Sequence, residues 1–319
     1  MMHRFPARAL VLPCALLLAS LLLMVAPGPL VRAATVTVTS TLDVIHDGAS
    51  GCVTTGSGIC SLRDAVIFAN AHANTIIALP ASTYVLTIWS SGSNDVTTGD
   101  LNLTNTTGST TIFGAGSDTT IIDGNHIDRL FQLSPGVTAN ISGITLWNGF
   151  LFGQAAGPTA GGAILNDGTV TITGCVFALN SIIGSTGTSG SPTGGEGDGG
   201  AIANRTGGSL TVINSTFTMN GAIGGRGVTG APSSTGGFGG GGFDGAILTV
   251  GTLTVIGSTF SNNSANGGAG GPGGPETGGL GGGNGGDGSL GGGGAIYLGS
   301  TGVVHSTITN STFYTNRDC

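Results

Sequence analysis

Short alternations of apolar and polar residues recur along most of the chain. In Thr169-Val-Thr-Ile-Thr173, Val170 and Ile172 face one way and the threonines the other, the period of a half-buried strand. Leu210/Val212 and Leu253/Val255 repeat the alternation. Each belongs to a longer unit that occurs four times. Gly161-Gly-Ala-Ile164 leads to Phe177-Ala-Leu-Asn180, and Gly199-Gly-Ala-Ile202 to Phe217-Thr-Met-Asn220. Asp244-Gly-Ala-Ile247 leads to Phe260-Ser-Asn-Asn263, and Gly293-Gly-Ala-Ile296 to Phe313-Tyr-Thr-Asn316. The Ala-to-Phe spacing stays between 14 and 18, whereas the step from Asn to the next Ala grows from 21 to 26 to 32. The last copy breaks the alternation, with Ser306 where a leucine is expected, and Ile144-Thr-Leu-Trp-Asn148 reads as a looser, earlier copy.

A unit of about 20 residues is too short to bury its own apolar face, so neighbouring units must stack. Strands of three to five residues with Gly or Asn corners predict an all-β chain wound as a parallel β-helix. Phe177, Phe217, Phe260 and Phe313 are expected to stack inside. Asn180, Asn220, Asn263 and Asn316 are expected at a corner, in left-handed backbone and joined as an amide ladder. Residues 75–150 continue as regular rungs, with strands expected at Thr75–Leu79, Thr83–Thr87, Thr110–Phe113, Thr120–Ile122, Leu130–Leu133 and Ile144–Leu146. Seven or eight rungs at about 4.8 Å give a stack some 35 Å long. Residues 151–319 hold the four repeats.

Residues 34–74 differ. Thr35–Thr41 alternates as a strand. Ser61-Leu-Arg-Asp64 forms a capping-box start, and Leu62, Ala65, Val66, Ala69 and Ala73 follow at helical spacing. A solenoid end exposes apolar surface, and this short amphipathic helix is expected to cover it as an N-terminal cap.

Glycine makes up 64 of the 319 residues, but it does not fall at every third position, which excludes collagen. Its excess lies in three inserts, 181–198, 221–243 and 264–292, which carry little apolar surface and are expected to be mobile loops projecting from one corner. Residues 1–33 have the layout of a secretory signal peptide: His3, Arg4 and Arg8, then an apolar run from Ala9 to Ala26, then Val31-Arg32-Ala33. An uncleaved membrane anchor is the alternative, and Pro13 argues against lipidation of Cys14. Cleavage after Ala33 removes three of the eight arginines, leaving five against 15 acids, a net charge of −10 with no lysine. Such a chain has no electrostatic footprint for nucleic acid, and no later stretch is long and apolar enough to be a transmembrane segment. In an oxidising compartment Cys52 and Cys60 are expected to form a disulfide across a short loop, zinc being the weaker alternative. Cys175 reads as a buried small hydrophobe, and Cys319 has no evident role.

The paired Gly-Gly-Ala-Ile and Phe-x-x-Asn motifs resemble the polymorphic outer membrane protein repeats of chlamydiae. Cys60-Ser-Leu-Arg-Asp-Ala-Val66 resembles the CSLREA domain of bacterial secreted β-helix proteins, with Asp64 for Glu and Val66 for Ile. Thr120-Ile-Ile-Asp-Gly124 and Ile141-Ser-Gly-Ile-Thr145 are typical of the same group. The resemblance spans nearly all of 34–319. It implies an exported right-handed β-helix of the pectin lyase fold, secreted or at the outer membrane or cell surface, where some relatives act as adhesins or autotransporter passengers.

Chemistry has few candidates. Asp123 and Asp128 suit an acid and base flanking a sugar bond, beside His126, with Arg129 steering a substrate carboxylate, although Ile-Ile-Asp-Gly-Asn is equally an ordinary turn. Gly282–Leu290, with Asp287, nearly matches a calcium-binding nonapeptide, but only one copy is present, so no resident cofactor or metal is expected. Threonine ladders at 169/171/173, 211, 252/254 and 307/309 suit ice binding and equally suit any outward strand face. The expected function is that of an exported, non-catalytic adhesin or structural passenger that contacts a cell-surface glycan or a host or neighbouring surface protein. The alternative is a polysaccharide lyase or glycoside hydrolase.

Overall fold

The computed structural model describes residues 33–46, 52, 58–91, 95–153, 160–278, 281–299 and 305–319. Nearly all of the expected signal peptide, residues 1–32, lies outside the described residues. The described chain is a parallel β-helix. Five sheets of eight, seven, six, five and three strands run along it, and every pairing between strands is parallel. One coil of the repeat region consists of Ile164–Asn166, Thr169–Thr173, Val176–Ala178 and Ser181–Ile183, after which an insert returns the chain to the next coil.

The register places like on like. In the eight-stranded sheet, one inward column reads Val36, Ile77, Ile112, Ile141, Ile172, Val212, Val255 and Ile308. From Ile77 to Val255 these side chains are fully buried. Each contributes about 1.5–3 kcal/mol relative to an exposed position. The outward face carries Thr171, Thr211, Thr254 and Thr307 in line. The Phe column stacks as expected: Phe177, Phe217, Phe260 and Phe313 lie nearly parallel at centroid distances of 4.5, 4.8 and 4.8 Å, the first three fully buried and Phe313, on the last coil, 43% exposed. Leu146 and Ile122 continue that column upstream.

The amide ladder is also present. Asn180, Asn220 and Asn263 each donate from Nδ2 to Oδ1 of the next, ending on Asn316, at 2.8–2.9 Å. The second Nδ2 proton goes to the carbonyl of Leu146, Phe177 or Phe217. The same Oδ1 atoms accept backbone N–H groups of the preceding coil. The left-handed residue, however, is not the asparagine but the one before it: Leu179, Met219, Asn262 and Thr315 have φ of 53–56°. The Asn backbone must stay extended to aim its amide inward, so the bend falls one residue earlier. Trp147-Asn148 shows the same logic. Asn148 takes the bend (φ 54), and Gly149 occupies the ladder position, donating to Asn180 Oδ1. The segment Ile144–Asn148 is thus offset by one residue from the later motif.

At the N-terminal end the first strand is only Thr35–Thr37, shorter than the alternation suggested. The helix spans Leu62–Ala71 and leaves out Ala73. Its capping box is complete: the Ser61 hydroxyl accepts Asp64 N–H, and the Asp64 carboxylate accepts Ser61 N–H. Leu62, Ala65, Val66 and Ala69 are buried in the same core as the first coils. Cys52 and Cys60 are joined as a disulfide. Cys175 is buried, in line with Ser215, Ser258 and Ser311, whose hydroxyls accept backbone N–H groups of the coil before.

Asn220→Ala orphans buried donors and acceptors on both neighbouring coils and is expected to cost roughly 3–5 kcal/mol. Asn316→Ala, whose amide water can replace, costs about 1 kcal/mol or less. Denaturant unfolding followed by circular dichroism measures the difference.

Candidate functional site

The sequence candidates for acid–base chemistry separate in the structure. Asp123 sits at a corner, where its Oδ1 accepts from Asn125 N–H and Asn148 Nδ2, while Asn125 and His126 both take left-handed backbone. This is a turn-stabilising role. Asp128 and Arg129 lie instead in a nearly closed ion cluster. Arg129 Nε stands 3.0 Å from Asp100 Oδ2, close enough for an ion pair though not aligned as a hydrogen bond. Its Nη1 donates to the Ala160 carbonyl, and Asp128 Oδ1 accepts Arg129 N–H. All three residues are less than a tenth exposed. Burial pushes Asp100 up to about 7 against the pull of Arg129, and it raises Asp128 as well. Asp100 was invisible in sequence, because only the coil register brings it beside Arg129. A second buried pair, Arg63 with Asp43 at 2.7 Å, ties the helix to the loop before it. Asp43 also accepts Thr87 and Ile88 N–H.

The glycine-rich inserts are not loose loops. They form a two-layer array, with outgoing legs near 184–187, 224–230 and 267–274 and return legs near 194–197, 236–242 and 283–289. Hydrogen bonds recur every third residue, the repeat of a polyproline II helix. The glycine that opens each of these triplets donates within its layer: Gly227 to Ala269, Gly230 to Pro272, Gly239 to Asp287 and Gly236 to Asn284, at 2.8–2.9 Å. The second donates across the layers. Gly195 N–H goes to Ser185, Gly225 to Gly195, Gly240 to Gly225, and Gly268 to Gly240, at 2.7–2.8 Å. The third residue has no donor role, so proline fits there, at Pro232, Pro272 and Pro275. Glycine is required because the legs lie backbone on backbone: a methyl on Gly225 or Gly268 would overlap a carbonyl oxygen of the neighbouring leg.

The array therefore holds its third-position side chains outward at steps of roughly 9 Å, three residues of such a helix. Thr186, Arg226, Thr229 and Ala269 are exposed along the outgoing layer, and Glu196, Phe238, Asn284, Asp287 and Leu290 along the return layer. Phe238 is 55% and Leu290 80% exposed. Asp287 belongs to this series: the nonapeptide-like segment runs as an array leg. Among the described residues no group of three or more His, Cys, Asp or Glu is placed to hold a metal, and no helix is long and apolar enough to cross a membrane.

No protein-family model matches the chain, and no curated protein matches it. A solved structure titled Geobacillus virus E2 - ORF18 aligns at 13% identity and a TM-score of 0.32, over 79% of this chain. The chain spans 59% of that structure's length.

Two outcomes are expected. Gly225→Ala forces the array apart, whereas Gly190→Ala, with open space around it, does not; amide hydrogen exchange reads the loss of protection across 184–289. Asp128→Asn removes a carboxylate whose charged form burial disfavours. The folded value lies above the free one, so the cost is absent in acid and grows as pH rises. Thermal melts should show stabilisation at pH 8 and little change at pH 4.

Proposed function

We propose that this is an exported, non-catalytic β-helix protein that works outside a bacterial cell or at its surface as an adhesin or structural passenger. The likeness of Cys60–Val66 to the CSLREA domain, and of the four repeats to polymorphic outer membrane protein repeats, supports export and a surface role. The observation that carries the binding role is the glycine array. It is a rigid, hydrogen-bonded platform that spends its backbone polar groups internally and offers widely spaced side chains to a partner. Exposed Phe238 and Leu290 beside Glu196 and Asp287 suit the ring faces and hydroxyls of a surface glycan or a patch on a neighbouring surface protein. The buried Asp100, Asp128 and Arg129 are better suited to holding coils together than to reaching a polymer.

The test is a polysaccharide and surface-protein array screen with residues 34–319. Shortening 264–292, or replacing Phe238 and Leu290 by Ser, is expected to weaken binding at least tenfold. Asp123→Ala and Asp128→Ala should leave it within about twofold. Release of saccharide fragments, lost in either Asp variant, would show an enzyme instead.

A further inference from the structure

Each return leg enters the β-helix through the same corner. In four successive coils that corner reads Ala160-Gly161-Gly162, Asp198-Gly199-Gly200, Phe243-Asp244-Gly245 and Gly292-Gly293-Gly294. Its middle residue is left-handed every time, with φ of 72, 70, 71 and 70°. Three of the four are glycine; the third coil places Asp244 in a conformation that side chains avoid. Asp244 is fully buried, and neither of its carboxylate oxygens has a hydrogen-bond partner. Its Oδ1 reaches toward the next coil, 2.9 Å from where Gly293 would carry a Cβ.

Asp198 stands one coil earlier at the same corner, and its buried Oδ1 is likewise without a partner. Burial pushes Asp244 up to about 10, with the charge of Asp198 adding to the effect. Asp198 is pushed up to about 7, by burial first and then by Glu196. The charges that raise these two groups are all negative, and no guanidinium offsets them. Beside them lies a small apolar cluster that includes Ala160, Ala203 and Leu248. Buried carboxylates with orphaned oxygens and no counter-charge call for a cation or a proton.

We propose that Asp244 and Asp198 bind a hard metal cation, of the calcium class, at the root of the glycine array. Calcium takes carboxylate, backbone carbonyl and water oxygens in irregular geometry, which suits a corner where the backbone is already bent. The ion would neutralise the pair, give the orphaned oxygens a partner and clamp the return legs of the first and second inserts onto the coils they enter.

The test is thermal unfolding of the exported chain at pH 7.5 in EDTA, in CaCl2 and in MgCl2, with equilibrium dialysis of radioactive calcium for stoichiometry. Wild type should gain roughly 5 °C at saturating CaCl2, less with magnesium, and bind one ion. Asp244→Gly installs the residue of the other three coils, so it should fold and lose the calcium response. Asp244→Asn, which tolerates the left-handed backbone, should lose it too, while Asp287→Asn keeps it. Retention of the response in Asp244→Gly would overturn the proposal. So would a wild type blind to calcium whose Tm in EDTA falls as pH rises from 4 to 8, with Asp244→Asn removing the fall. That result would mean the carboxyls carry protons.

Discussion

In a parallel stack each residue sits directly above its counterpart in the next coil, about 4.8 Å away. Every column must therefore tolerate its own repetition. Aliphatic side chains, flat rings and primary amides do so; like charges do not. This constraint explains why only 7% of the residues are charged and why the fully buried ion pair Arg63–Asp43 lies before the repeats begin. The asparagine corner is its most specific expression. An amide carries two donors and an acceptor oxygen with two lone pairs, so a column of amides bonds along itself and uses its remaining donor and lone pair on the backbone beside it, coil after coil.

The glycine array obeys the same rule with the side chains removed. The β-helix coils keep their backbones one strand apart and fill the interior with side chains. The inserts bring two backbone layers into direct contact and satisfy both through interlayer hydrogen bonds. The cost is that the first two residues of most triplets are glycine, and the return is a thin, hydrogen-bonded element with free choice at the third. What composition alone marks as flexible is ordered because the glycines recur with a period of three.

The repeats made much of the fold legible. Phe177 to Phe313 and Asn180 to Asn316 announced themselves by recurrence, and the alternation in Thr169–Thr173 gave the inward face directly. The aligned copies carry further columns as well. Cys175, Ser215, Ser258 and Ser311 form a column two residues before each Phe, and Asn166, Asn204 and Thr249 form a second polar ladder. Both were visible at fixed offsets. The signal of the array is the spacing of glycines rather than their number, and composition alone does not show it. Asp100 and Arg129, 29 residues apart, and Asp198 and Asp244, 46 apart, come near one another only through the winding of the coil, which no local pattern announces.

The inserts grow from 18 to 23 to 29 residues, close to one added triplet on each leg per coil. A triplet is one full turn of a polyproline II helix, so lengthening by triplets restores the phase of every bond already made. The blade can thus be extended or trimmed at its tip without disturbing its root. Each added triplet lengthens a leg by one turn, roughly 9 Å, so the steps between successive inserts are set by turn length. Reach from the scaffold is then quantised, and a lineage can tune it by short insertions while the folded body stays untouched.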